Sequence, residues 1–267
     1  MIVEFVGTPG AGKTTLATAL VALLEERDIA AANVVDAARD HVRRTPTGAL
    51  LARRAPSSFR DVILWQAFYL LGVVHAVGFG FEHQTLMRHA LRSQLRPGLP
   101  LRTRVRVLYW FVHLCGRYRF LSATSSEREV LVLDDGFVQR AVHLFASPFD
   151  RPNATQIRAY VDVIPPPDLL VVTVAEWQEC ERRVRERGIW PHARHLSAAQ
   201  LSRYFEHAEQ VVDVATRQAR KRGWSMTEIA TEHRGPDGLH EPLARVAATV
   251  APPDTGPRPS GDGGRVA

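Results

Sequence analysis

The segment that most constrains this chain is Gly7-Thr-Pro-Gly-Ala-Gly-Lys-Thr-Thr15, set directly after the apolar, β-branched run 1–6. Gly7-x-x-x-x-Gly12-Lys13-Thr14 is a complete phosphate-loop pattern, and its position between a strand and a helix is the context such a match requires. Small residues at Gly7, Gly10, Ala11 and Gly12 let successive backbone N–H groups turn inward on a β-phosphate, and the helix that starts there adds partial positive charge. Lys13 is placed to bridge the β- and γ-phosphates, the Thr14 hydroxyl to ligate magnesium, and Thr15 to close the cradle. One of the only two lysines in the chain, Lys13 and Lys221, fills this slot.

The rest of the composition fits an ordinary enzyme-sized body. With 267 residues, 45% hydrophobic and 23% charged, the chain can bury a full core in one domain, read here as residues 1–250. Residues 251–267 are rich in Pro, Gly, Asp and Ser and predict a disordered tail. Cys115 and Cys180 are the only thiols, and the opening run carries no basic export signal, so a reduced, cytoplasmic location is expected. The net charge of +6 comes from arginines scattered along the chain, with no basic tail and no aromatic interleaving. That pattern speaks against nucleic acid and for small anions as partners.

Short apolar runs alternate with helical patterns, which predicts an α/β fold with a parallel sheet and flanking helices. The run Asn33–Asp36 reads as a second strand delivering Asp36 to the rim. Residues 56–120 read as a helical insertion with breaks at Gly78, Gly80 and the Pro97–Pro100 turn. Within it, 62–81 is uncharged and long enough to cross a bilayer. Gln66, His75, the Gly78-Phe-Gly80 interruption and the need to return to the sheet argue against stable membrane insertion, leaving peripheral contact open. Further strands are expected at Val130–Leu133, ending in Asp134 and Asp135, at Asp168–Val174 and at Ser225–Ala230. Helices are expected over Trp177–Arg187 and Gln200–Arg222.

Asp134 at the tip of a buried strand is the partner carboxylate for magnesium, and Asp135 points to the acceptor side. The chain contains no Asn-Lys-x-Asp guanine-reading motif and no Leu-Ser-Gly-Gly-Gln signature, which sets aside GTPases and transport ATPases. It does contain Glu181-Arg-Arg-Val-Arg-Glu-Arg-Gly188. Arg183 and Arg187 lie four apart, on one helical face, as lid arginines that neutralise charge on a transferring phosphoryl group. The competing reading is a solvated helix of Arg–Glu pairs through Glu179, Glu181 and Glu186. Paired histidines such as His83 and His89 lack metal-ligand spacing, so no other metal is expected.

The loop at Gly7–Thr15, the strand ending in Asp134, and Pro167–Val174 leading into Cys180–Gly188 resemble the thymidylate kinase and deoxynucleoside kinase group, over roughly two thirds of the chain. The resemblance implies a three-layer phosphate-loop fold, Lys13 and Thr14 as phosphate and magnesium ligands, Asp134 as the strand-end acid, and Arg183 and Arg187 in the lid. It makes Asp36 the counterpart of the carboxylate that serves as base or acceptor contact. The group usually carries arginine after the strand-end acid, where this chain has Asp135 and Gly136. That change favours a hydroxyl or amine acceptor held by Asp135. The expected activity is ATP- and Mg²⁺-dependent phosphoryl transfer to a small-molecule acceptor, with Asp36 or Asp135 as base. The alternative is a nucleotide-gated ATPase or switch whose apolar helices engage a partner or membrane surface. A homodimer is left open.

Overall fold

The computed structural model describes residues 1–34, 36, 37, 72–95, 99–124, 129–191, 193–231 and 236–250. The tail 251–267 and the first half of the apolar stretch 62–81 lie outside the described residues. In chain order the elements are β1 (Ile2–Val6), α1 (Lys13–Glu25), β2 (Ala31–Asn33), a helical run 72–82, α2 (Gln84–Gln94), α3 (Leu101–Thr124), β3 (Val130–Leu133), α4 (Phe137–Phe145), α5 (Ala154–Val161), β4 (Leu169–Val174), α6 (Trp177–Arg187), α7 (Ala198–Lys221), β5 (Met226–Ala230), a 3₁₀ turn (Pro236–Leu239) and α8 (His240–Val250).

The strands form one parallel sheet in the order β2-β3-β1-β4-β5. Side-chain alternation sorts the core into two layers. Val3, Phe5, Val130, Val132, Leu169, Val171 and Ile229 pack with α1 and α8 on one face. Val6, Leu170 and Val172 pack with helices α2 to α5 and α7 on the other. The result is the three-layer phosphate-loop architecture expected from the sequence.

This strand order positions the site. From β1 the chain passes through α1 toward β2 on one side, and from β3 through α4 toward β4 on the other. The loops after β1 and β3 therefore diverge to opposite faces, which opens a crevice at the carboxyl ends of these two neighbours. Register sharpens the effect: Glu4 pairs with Leu133, the last residue of β3, so Phe5 and Val6 extend past it. The turn 134–136 thus lies beside the end of β1.

Three local expectations are corrected. The second strand is Ala31–Asn33, and Asp36 falls after it, where residues 34, 36 and 37 are helical. Asn33 explains the early stop, because its Oδ1 accepts from Asp36 N at 3.0 Å while its Nδ2 donates to Asp36 Oδ2 at 2.6 Å, an arrangement that starts a helix. Gly78 and Gly80 do not break the helical run 72–82; the break comes at His83. A Cβ on Gly78 would lie 1.5 Å from Arg119 Nη1, and one on Gly116 would lie 1.9 Å from the Gly72 carbonyl oxygen. These glycines let helices approach closely. The helix expected from Gln200 begins at Ala198, because Ser197 and Gln200 form a reciprocal capping box.

The Gly72–Gly116 approach is backbone on backbone, so nothing there yields easily. Gly116→Val is expected to lower stability by about 1–3 kcal/mol through overpacking. Gly80→Ala meets only ordinary contact, with Met87 Cγ at 3.9 Å, and is expected to be neutral or stabilising by about 0.5–1 kcal/mol. Urea denaturation of the two variants against the parent chain checks both.

Candidate active site

The loop between β1 and α1 is shaped by glycine where no other residue fits. Gly10 and Gly12 have φ of 93° and 87°, the left-handed region that costs an L residue energy. Gly7 lies against β4: a Cβ there would sit 2.0 Å from Thr173 Oγ1, whose hydroxyl donates to the Val6 carbonyl at 3.0 Å. Gly12 is the N-cap of α1 and supplies no side-chain cap. The first amides of α1 are therefore left for an anion in the crevice.

Lys13 and Thr14 stand at the floor of the crevice. Lys13 Nζ donates to the loop carbonyls of Gly7 at 2.9 Å and Thr8 at 3.1 Å. Burial pulls its ammonium down to about 8, while Asp135, Cys180 and Asp134 hold it up and Arg187 pushes it further down. Across the crevice, Thr14 Oγ1 donates to Asp134 Oδ2 at 2.8 Å. A hydroxyl and a carboxylate in contact are hard oxygen donors of the kind that share Mg²⁺ with a bound phosphate chain. Among the described residues there is no cluster of three or more His, Cys, Asp or Glu able to hold a metal by itself.

The crevice widens into a cleft of about 770 Å³. Six cationic side chains line it, Lys13, Arg106, Arg117, Arg140, Arg183 and Arg187, against two carboxylates, Asp134 and Asp135. Val107 and Trp110 of α3 give it an apolar wall, and Trp190 and Tyr204 line it from the segment around α6 and α7. Asp135 is paired with Arg140 Nη2, and His143 Nε2 stands 4.0 Å from Asp135 Oδ1. Arg140 is 8% exposed, and both its Nε and the other Asp135 oxygen, Oδ1, lack hydrogen-bond partners. Buried polar atoms without partners are rare in a folded protein, and both of these belong to residues that line the cleft.

Helix α6 divides its arginines between two surroundings. Arg182 pairs with Glu179 and Glu186 as a solvated face does, and Arg185 pairs with the buried Glu181. Arg183 lines the cleft and is engaged there: its Nε donates to Glu179 Oε1 at 2.7 Å and its Nη2 to the Thr231 carbonyl at 3.0 Å. Thr231 Oγ1 donates in turn to Ala11 O at 3.1 Å, so Arg183 ties α6 to the phosphate loop. Arg187 lines the cleft one turn later and makes no ion pair among the described residues. The base of α6 is packed tightly on the loop, since a Cβ on Gly10 would come 2.5 Å from the Cys180 carbonyl. Burial pushes the Cys180 thiol up to about 11, which leaves it inert as a nucleophile.

Asp36 is not brought in; it does not line the cleft and bonds to Asn33. Sequence reasoning missed Arg140, Gln139, Thr231 and Glu4. Gln139 Oε1 accepts from Gly7 N at 3.0 Å, and Gln139 N donates to Glu4 Oε1 at 3.0 Å. Glu4 was the legible one, as a charge inside an otherwise apolar central strand.

No family model matches this chain, and no curated protein matches it. Solved structures do. A deoxyadenosine kinase from M. mycoides, solved with products dCMP and a flexible dCDP, superposes over 93% of this chain and 100% of its own at 11% identity and a TM-score of 0.49. A thymidylate kinase from Ehrlichia chaffeensis covers 94% of this chain and 98% of its own at 14% identity and a TM-score of 0.43.

Burial pushes the Glu4 carboxyl from its ordinary 4.5 up to about 8, against the pull of backbone N–H groups at Gln139 and Val138. Between those values the unfolded chain has released a proton that the folded protein keeps. Stability of the ligand-free protein should therefore fall as pH rises from about 5 to about 8, by at most about 1.4 kcal/mol per unit from this group. Glu4→Gln is expected to flatten that slope in urea titrations across the same range.

Proposed function

We propose that this protein is an ATP- and Mg²⁺-dependent phosphotransferase that moves the γ-phosphoryl group to a small, hydroxyl-bearing anionic acceptor. The observation that carries this reading is the meeting of Thr14 and Asp134 at 2.8 Å beside Lys13, where two diverging loops open the sheet. When bound, magnesium supplies charge neutralisation and a template for the donor phosphates, held by Thr14 and Asp134. The loop amides and Lys13 hold the triphosphate, and Arg187, with no ion pair to break among the described residues, takes charge that develops on the transferring group.

The acceptor reading follows from the side of the cleft away from the loop. Of the two candidate bases, Asp36 and Asp135, only Asp135 lines the cleft, and its carboxylate orients an acceptor hydroxyl. Asp36 takes no part in this reading. From the sequence, Asp135, standing where the resembling kinases carry arginine, favours a hydroxyl or amine acceptor over one whose phosphate docks there. Arg140, one helical turn further on, restores the positive charge, and Arg106 and Arg117 add to it on α3. An acceptor bearing an anionic group beside its hydroxyl fits this set, with Trp110 against its apolar or planar part.

A second reading, a nucleotide switch, is favoured by Val74, Val77 and Phe81, which are exposed on the helical run 72–82. No helix among the described residues is long and apolar enough to cross a membrane. Incubation with ATP, Mg²⁺ and a panel of phosphorylated and carboxylated hydroxy compounds separates the two readings. The kinase yields ADP and phosphorylated acceptor in equal amounts, and Lys13→Ala lowers that rate by about 10²-fold or more. A switch yields free phosphate without a phosphorylated product.

Lys13 supplies a further test. A phosphate chain beside its ammonium favours the protonated form, so its lowered value of about 8 rises on binding. ATP binding near pH 8–9 should take up a fraction of a proton. Calorimetry in two buffers of different ionisation enthalpy reads this uptake directly.

A further inference from the structure

Glu4 occupies a position that a central strand normally gives to an aliphatic side chain. It alternates with Val3 and Phe5 and so faces the α4 layer together with Val6, at 2% exposure. An ionisable group there is costly unless it is used. The start of α4 shows how it is used. Its N-cap is Gly136, which has no side chain to cap with, and the Glu4 carboxyl takes that place from another element. Oε1 accepts from Gln139 N at 3.0 Å, and the backbone N–H groups of Val138 and Phe137 also favour the charged form of the carboxyl. Gly136 makes room, since a Cβ there would stand 2.3 Å from Glu4 Cδ. From the same turn of helix, Gln139 Oε1 returns to Gly7 N. Glu4 on β1 and Gly7 just past its end thus grip the same helix end. The turn carrying Asp134 and Asp135 lies between that end and Leu133, the register partner of Glu4.

We propose that Glu4 is a positioning residue that clamps the Asp134–Gly136 turn to the phosphate-loop strand and so sets the spacing of Asp134 to Thr14. The inference rests on the phosphotransferase reading for its purpose, but the clamp itself has a readout that needs no nucleotide. The charged and titratable groups around it are Asp135 on the turn, Arg140 on α4, Tyr118 on α3 and Tyr160 on α5. Tyr160 contributes to the same grip by donating its hydroxyl to the Phe137 carbonyl at 2.8 Å.

The experiment compares Glu4→Gln, Glu4→Ala and Gly136→Ala with the parent chain. Hydrogen exchange of the ligand-free protein reads amide protection at residues 137–139. Calorimetry reads ATP affinity with excess Mg²⁺ and with chelator. Glu4→Gln keeps an acceptor oxygen and is expected to retain protection and the magnesium-dependent gain in affinity within about twofold. Glu4→Ala is expected to lose about tenfold in each, with chelator-measured affinity little changed, because that depends on Lys13 and the loop amides. Gly136→Ala displaces the carboxyl from the other side and should reproduce the loss, which keeps the clamp testable if Glu4→Ala does not fold. Full protection and an unchanged magnesium gain in a folded Glu4→Ala or Gly136→Ala would overturn the proposal, even with a lowered melting temperature. If the parent chain binds no ATP, the phosphotransferase reading fails, and the exchange data alone decide the clamp.

Discussion

The cleft takes its geometry from β1, a strand hydrogen-bonded on both edges and sealed on both faces. Pairing with β3 on one side and β4 on the other leaves it no freedom to slide, and the bond from Ile2 N to Asp168 Oδ2 at 2.6 Å pins its start. At its far end Gly7 is pressed so closely against Thr173 that no side chain would fit. A loop leaving such a strand begins from a fixed point in a fixed direction. Phosphate-loop chemistry depends on that, because its catalytic power lies in positioning and charge placement.

Electrostatics completes what the strand begins. Lys13 is desolvated enough to be pulled toward 8, Arg140 is buried with an open Nε, and six cations share the cleft with two carboxylates. Each of these is a cost in the ligand-free protein. The costs share one remedy, which is a ligand carrying several negative charges. A triphosphate alone satisfies the loop end. On the proposed phosphotransferase reading, the arginines on α3 and α4 lie on the acceptor side, where a second anionic group removes the same kind of penalty.

The fold was legible because its signals are local. A phosphate-loop motif fixes a strand, a turn and a helix together, and apolar runs ending in Asp134 or introduced by Pro165–Pro167 mark strands buried on both faces. Less legible were features whose cause lies elsewhere in the chain. Gly78 looks like a break until Arg119 of the helix opposite is known. Asn33 ends β2 early through a side-chain bond that propensity does not show. In the site, Lys13, Thr14 and Asp134 follow from motif and spacing. Arg140 and Thr231 do not, because they reach the cleft only after the sheet order has brought β3 and β5 to either side of β1.

Arg183 and Arg187 show the limit of spacing most plainly. A separation of four puts both on one face of a helix, and both do line the cleft. Their surroundings give them different work. Arg183 spends its donors on Glu179 and on Thr231, which is itself bonded to the loop at Ala11, so moving it would loosen three elements at once. Arg187 stands at the end of α6, just before Gly188 with its φ of 108°, and its charge already acts on the Lys13 ammonium. An anion between those two cations offsets their repulsion. Arg187 thus reaches the cleft with no ion pair among the described residues, and Arg183 holds in place the helix that presents it.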